Sequence, residues 1–242
     1  MVAFSSDRIF LVTGASSGIG EGVALRLNEL GATVIGIGRD AARLEALRSK
    51  ARFPERLFIE RKDLTDDIEG LPEYVRTLRN QYGPLAGMAY CAGIADLKPL
   101  QLWGYEQAKA IFDINYFAAM GMLKGFGNRR NNAGKGSAAV FIASAAARLA
   151  DKGHISYAGS KSALITSCEV AAKELSVSGV RVSTISPKVV DTPMSRAMAE
   201  KSGVKIPAPS EQLSDVVEQV MALFSEKIKD KSEKMWSEDS EK

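Results

Sequence analysis

Short apolar runs recur along the chain, and each is followed by a longer stretch whose apolar positions fall three and four residues apart. The run 9–12 is apolar throughout and stops at Thr13-Gly14, which predicts a strand buried on both faces. Beyond it, Val23, Ala24, Leu27 and Leu30 mark one face of a helix over 21–30, ended by Gly31. The same alternation predicts strands at 33–37, 57–59, 85–91, 138–142 and 180–185, with helices at 40–51, 68–81, 107–126, 156–175 and 210–224. Strand and helix therefore alternate six times over short connections. This predicts an α/β chain, a doubly wound parallel sheet of six strands with helices on both faces. No internal repeat and no Pro- or Ser-rich linker divides it, so 1–224 reads as a single domain. The last residues, 225–242, are mostly Lys, acids and Ser, which predicts a solvated helix end and a loose tail.

Composition narrows the class without changing this picture. Of 242 residues, 45% are hydrophobic and 25% charged, which is ordinary globular usage and excludes a disordered, collagen-like or coiled-coil chain. The apolar runs are too short to span a membrane, and 1–7 lacks a charged start followed by an apolar stretch. With only Cys91 and Cys168 there is no disulfide framework and no zinc site. A reduced, cytoplasmic protein without a membrane partner or metal is the expectation. Lys and Arg total 32 against 29 acids, a net charge of +3. The nearest clusters, Arg48-Lys50-Arg52 and Arg129-Arg130, read as solvated helix faces and ends, so no nucleic-acid partner is expected.

Two constellations carry chemistry. The first is Thr13-Gly14-Ala15-Ser16-Ser17-Gly18-Ile19-Gly20, between the first strand and the first helix. Glycines there let backbone N–H groups and a helix N-terminus meet a pyrophosphate. Three glycines alone fit a sharp strand-to-helix corner equally well. The second is Tyr157 with Lys161, four residues apart and so on one face of a helix. An ammonium near a phenol stabilises the phenolate, lowers its pKa and suits the group to acid–base work at a carbonyl or alcohol oxygen. A surface Tyr–Lys pair has the same spacing. Ser144 lies thirteen residues before Tyr157, directly after the strand 138–142, at the end of the sheet where open α/β folds bind ligands.

The string T-G-A-S-S-G-I-G resembles the cofactor turn of the short-chain dehydrogenase/reductase family. Asn115, Ser144, Tyr157 and Lys161 match that family's Asn–Ser–Tyr–Lys tetrad in order and approximate spacing. The resemblance runs from about 4 to 225 and implies an NAD(P)-dependent oxidoreductase interconverting a carbonyl and an alcohol. It places Gly14, Ser16, Ser17, Gly18, Ile19 and Gly20 around the pyrophosphate, and Asp63 and Leu64 at the adenine. Ala92, Gly93, Asn115, Tyr157, Lys161, Pro187, Val190 and Thr192 complete the cofactor set. In it Tyr157 is the proton donor, Ser144 steadies the substrate oxygen, and Lys161 lowers the Tyr157 pKa and bonds the ribose. Asn115 holds a water that links Lys161 to solvent.

At the second strand tip the family's NAD-linked members carry an acid, where this chain has Gly38. Arg39 is the expected ligand of an NADP(H) 2′-phosphate, unless it is an exposed loop residue, and Asp40 is the expected N-cap of the next helix. NADP(H) is the preferred cofactor and NAD(H) the alternative. The substrate is a small carbonyl or alcohol compound, with reduction the favoured direction. The helix 156–175 resembles the family's dimer helix, so a homodimer is expected.

Departures from the family pattern are as informative. Cys91 replaces the second Asn of N-N-A-G and is expected to pack as a small apolar residue. Lys188 replaces the glycine after Pro187 and either meets an anionic substrate or points to solvent. Nothing resembling the family's seventh strand follows Phe224, which implies a more open pocket. Leu149, Asp151, His154, Met194 and Met198 are expected on the pocket wall, with 194–209 as a lid flexing near Gly203 and Pro207. The rival reading is a non-catalytic nucleotide-sensing or scaffold protein on the same fold.

Overall fold

A computed structural model describes residues 4–202 and 210–225. Six parallel strands are present, β1 (Ile9–Thr13), β2 (Thr33–Gly38), β3 (Leu57–Arg61), β4 (Leu85–Tyr90), β5 (Ala138–Ile142) and β6 (Arg181–Ile185). They lie in the order β3-β2-β1-β4-β5-β6, and no seventh strand occurs among the described residues. β1 and β4 are buried along their whole length. Both faces of the central sheet are covered, so these strands are apolar without alternation.

Alternate residues of the central strands feed two cores. Leu11, Ile35, Met88 and Phe141 face α3 (Leu71–Tyr82), α5 (Ala118–Gly127) and α7 (Ile155–Ser176). Phe10, Val12, Val34 and Val140 face α1 (Gly18–Glu29), α2 (Ala41–Lys50) and α9 (Leu213–Ser225). Phe224 of α9 meets Phe10 edge-on at 5.1 Å between centroids, an arrangement aromatic pairs favour. The chain after β6 thus returns to close the second core as a helix.

Between β1 and β4 the strand order reverses direction, and register pairs Thr13 with both Ile37 and Tyr90. Neighbouring crossovers leave on opposite faces here, which opens a crevice at the carboxyl ends of the strands. The predicted helix 107–126 differs in detail. It is α4 (Tyr105–Phe112), a π turn (Asp113–Phe117) and α5, with the Ala118 N–H donating to Asp113 O five residues back. Apolar periodicity survives such an insertion nearly intact, so it is invisible to pattern reading. Two helices lie in segments the pattern left unassigned, α6 (Ala146–Leu149) and α8 (Pro193–Ser202). α8 occupies the start of the expected lid; Gly203, Pro207 and the tail beyond Ser225 lie outside the described residues.

Candidate active site

A cavity of about 1220 Å³ occupies the crevice. Every predicted cofactor and catalytic residue lines it except Asn115, and so do Leu149, Asp151, His154, Met194 and Met198.

At the phosphate end, Gly14 has φ +66 and packs directly on the next strand. A Cβ there would stand 2.8 Å from Ala92 N and 2.9 Å from Cys91 C, so only glycine closes this turn. Thr13 Oγ1, fully buried, accepts from Cys91 N at 3.1 Å and Ala92 N at 3.2 Å. These bonds tie β1 to β4 behind the cavity, so the tie does not depend on the side chain at 91. α1 then begins at Gly18, and its N-cap Ser17 makes no side-chain cap bond. A helix's first N–H groups have no partner within the helix, and here they stand on the cavity wall with the positive end of the dipole.

At the second strand tip, Asp40 caps α2 by accepting from Arg43 N at 3.1 Å, as expected. Arg39 is exposed and lies 3.4 Å from Asp63 Oδ2. Burial pushes the Asp63 carboxyl up. Its bonds from the Thr65 N–H and hydroxyl, together with Arg39, outweigh that and hold it below its usual range. Arg43 and Lys62 line the same end. Sequence reasoning passed over both, although each is a basic residue beside a strand tip. A Cβ on Gly38 would lie 3.2 Å from Leu44 Cδ2 and 3.3 Å from Ser16 Oγ, so a carboxylate side chain has little room there.

At the opposite end Tyr157 and Ser144 meet. Burial raises the Tyr157 pKa, and a hydrogen bond with Ser144 acts the other way without cancelling it. In this geometry burial outweighs that bond, and the phenol is held above its ordinary value. Lys161 itself is buried, and burial lowers its pKa to about 8, opposed by the thiols of Cys91 and Cys168. Its Nζ donates to Ile142 O at 2.7 Å and stands 5.9 Å from the Tyr157 ring centroid. Cys91 is half-buried and packs against the core, with its thiol pushed up to about 12 by burial. It packs as a small apolar side chain.

Lys188 is exposed on the cavity wall. Its N–H donates to Glu211 Oε2 at 2.9 Å, while Ala145 N donates to Pro187 O at 2.9 Å. The Pro187-Lys188 backbone is thereby clamped to the loop that carries Ser144.

Asn115 is fully buried behind the cavity. Its Oδ1 accepts from Ile94 N at 2.9 Å, and its Nδ2 donates to Ile94 O at 3.0 Å and Ser160 Oγ at 3.0 Å. A Cβ on Gly93 would stand 2.9 Å from Asn115 Oδ1 and 3.6 Å from Lys161 Nζ. Both side chains therefore border the bare face of Gly93. Ser160 was not singled out from the sequence, because a serine inside a helix carries no chemical signal of its own.

Comparison with known proteins agrees with this architecture. The family model for short chain dehydrogenases matches residues 8–203. D-erythrulose reductase of Gallus gallus is 31% identical over 226 residues, covering 90% of this chain and 88% of that protein. D-threitol dehydrogenase of Mycolicibacterium smegmatis is 32% identical over 190 residues, covering 76% and 71%. A short chain dehydrogenase from Burkholderia cenocepacia, solved in complex with NADP, superposes with a TM-score of 0.79 at 27% identity, covering 92% of this chain and 91% of that one. With the match spanning most of the sheet and its crossovers, this chain belongs to the short-chain dehydrogenase/reductase family of Rossmann-fold oxidoreductases.

Proposed function

We propose that this oxidoreductase is NADP(H)-dependent and interconverts a small carbonyl compound and its alcohol, with Tyr157 as general acid and base. The observation that carries the reading is the convergence of Ser144, Tyr157 and Lys161 at one end of a cavity whose other end is a glycine-closed helix N-terminus. That cradle fits a dinucleotide. Gly14 lets the backbone close tightly, the first turn of α1 suits the pyrophosphate, and Asp63 and Leu64 flank the adenosine end.

When bound, the nicotinamide supplies or accepts the hydride. The chain's own groups handle the proton and the orientation. Tyr157, its phenol held above the ordinary value, is protonated at neutral pH and gives its proton to the carbonyl oxygen as that oxygen gains charge. Ser144 hydrogen-bonds the same oxygen and stabilises the developing charge. Lys161, close to its own pKa of about 8, is a cation that loses its proton readily and stabilises the phenolate left after transfer. In the oxidative direction the same groups run in reverse.

Arg39 supports the preference for NADP(H). Its only described ion pair is a 3.4 Å contact with Asp63, and it is 69% exposed, so its guanidinium is available for a bidentate grip on a 2′-phosphate. Polyols and ketoses are the substrate class we favour, because relatives named for D-erythrulose and D-threitol align over most of the chain. We place the enzyme in the cytoplasm, as a homodimer assembled through α7.

NADPH oxidation with a panel of small ketoses, ketones and aldehydes tests the reading. Parent enzyme is expected to turn over at least one of them. Tyr157→Phe is expected to lose turnover with the NADPH Kd changed less than about twofold, since it removes one hydroxyl without changing shape. Near-native turnover by that variant would remove Tyr157 from the chemistry.

A further inference from the structure

The proposed catalytic helix holds one buried polar side chain to which the mechanism assigns nothing, Ser160. It is fully buried on α7, between Tyr157 and Lys161 in the chain. Its Oγ donates to Tyr157 O at 2.7 Å, the local back-bond that helical serines often make. The same oxygen accepts from Asn115 Nδ2 at 3.0 Å, across 45 residues of sequence.

The direction of these bonds is determined by counting hydrogens. A serine hydroxyl has one hydrogen and two lone pairs. The hydrogen goes to Tyr157 O, so toward Asn115 the oxygen only accepts. Asn115 must therefore present its NH₂ to Ser160 and its carbonyl oxygen to the Ile94 N–H. The second amide hydrogen goes to Ile94 O at 3.0 Å. Both donors of the amide and one lone pair of its oxygen are engaged within the chain. The reversed amide would set NH₂ against N–H at Ile94 and leave Ser160 facing a carbonyl with no hydrogen to give.

We infer that Ser160 is a positioning residue for the reaction: it ties the Asn115 amide, already oriented by Ile94, to α7 and so locks the π turn and the Ile94 loop to the helical turn bearing Tyr157 and Lys161. The inference rests on the proposed roles of Tyr157, Lys161 and Asn115. Its physical basis is that a buried, fully satisfied network has one low-energy arrangement, and opening one link leaves a donor unpaired. The opened arrangement relaxes toward others in which the Tyr157 hydroxyl is no longer held in register with Ser144. Small displacements of a reacting group are costly in rate.

A double-mutant cycle on the full-length enzyme tests this, with kcat, KM, NADPH Kd and thermal midpoint read for Ser160→Ala, Asn115→Ala and the double variant. Ser160→Ala is expected to lower kcat about tenfold while KM and NADPH Kd stay within about twofold. In the Asn115→Ala background the same change is expected to cost less than about twofold, because the two act as one unit. If the alanine variant does not fold, Ser160→Cys, similar in volume and a weaker acceptor, is read in the same cycle. A folded Ser160 variant with kcat within about twofold of the parent would overturn the inference, and so would equal losses in both backgrounds. If Tyr157→Phe or Asn115→Ala retains native turnover, the catalytic reading fails instead. If both lose turnover and Ser160→Ala does not, only the positioning role fails.

Discussion

Lys161 Nζ donates to the carbonyl oxygen of Ile142 at 2.7 Å, so the one buried cation of the proposed site is anchored to the tip of β5 rather than to the phenol of Tyr157. The lysine is thus set at the floor of the cavity by the sheet, while the tyrosine is set by its own helix. Both titrations bear the mark of burial: the ammonium is easier to deprotonate and the phenol harder.

This has a consequence for stability in the absence of cofactor. The folded-state pKa of Lys161 is about 8, against 10.5 for an unperturbed lysine. Between those values the unfolded chain holds a proton that the folded chain has released, so this group makes stability rise with pH across about 8 to 10. Below that window it costs about 3 kcal/mol, from 1.36 kcal/mol per unit. Urea midpoints at pH 7 and 9.5 are expected to show Lys161→Met flattening the pH dependence and gaining on the parent most at pH 7. Parallel dependences in the two proteins would contradict the burial effect.

Arg39 sets the next expectation. Removing a guanidinium that grips a phosphate loses a charge-assisted bond of about 1.5–3 kcal/mol. Arg39→Ala is expected to raise the NADPH Kd by about tenfold or more and to leave the NADH Kd within about twofold. Fluorescence titration of the two nucleotides reads both, and equal weakening would remove the phosphate role.

Thr13 offers a structural test beside the site. Its Oγ1 accepts two buried N–H groups, and Thr13→Val keeps the shape while leaving both unpaired. Stability is expected to fall by about 2 kcal/mol or more, from about 1–3 kcal/mol per orphaned donor. Thr13→Ser, which retains the oxygen, is expected to recover most of the loss in a denaturant titration.

For assembly, α7 packs against the π turn, and both present exposed apolar groups, Val170 at 52% and Phe117 at 47%. Light scattering is expected to give twice the 26.0 kDa chain mass. A charge at either position, Val170→Lys or Phe117→Glu, is expected to shift the protein toward monomer. A tetrameric mass, or a dimer indifferent to both changes, would argue against this surface.

Periodicity made the sheet legible. Strands such as 138–142 are apolar on both faces because helices cover both, and the six strand–helix alternations then determine a parallel order with a crevice where it reverses. The glycine turn was equally plain, since Gly14 has no substitute where a Cβ would strike the Ala92 backbone. The capping role of Asp40 was legible for a local reason: an N-cap bonds within its own first turn.

What the amino-acid sequence determined by itself, then, was whatever depends on local pattern: the elements, their alternation, and the residue types at the ends of strands. The tertiary structure decided what depends on surroundings. It broke the predicted long helix at a π turn to aim Asn115 inward, anchored Lys161 on Ile142, and buried the Tyr157 phenol, which pushes its pKa up. It joined Asn115 to Ser160 across 45 positions. Spacing places two residues on one helical face, but hydrogen-bond partners and burial are set by segments far away in the chain. A pKa is a property of that environment, and no motif carries it.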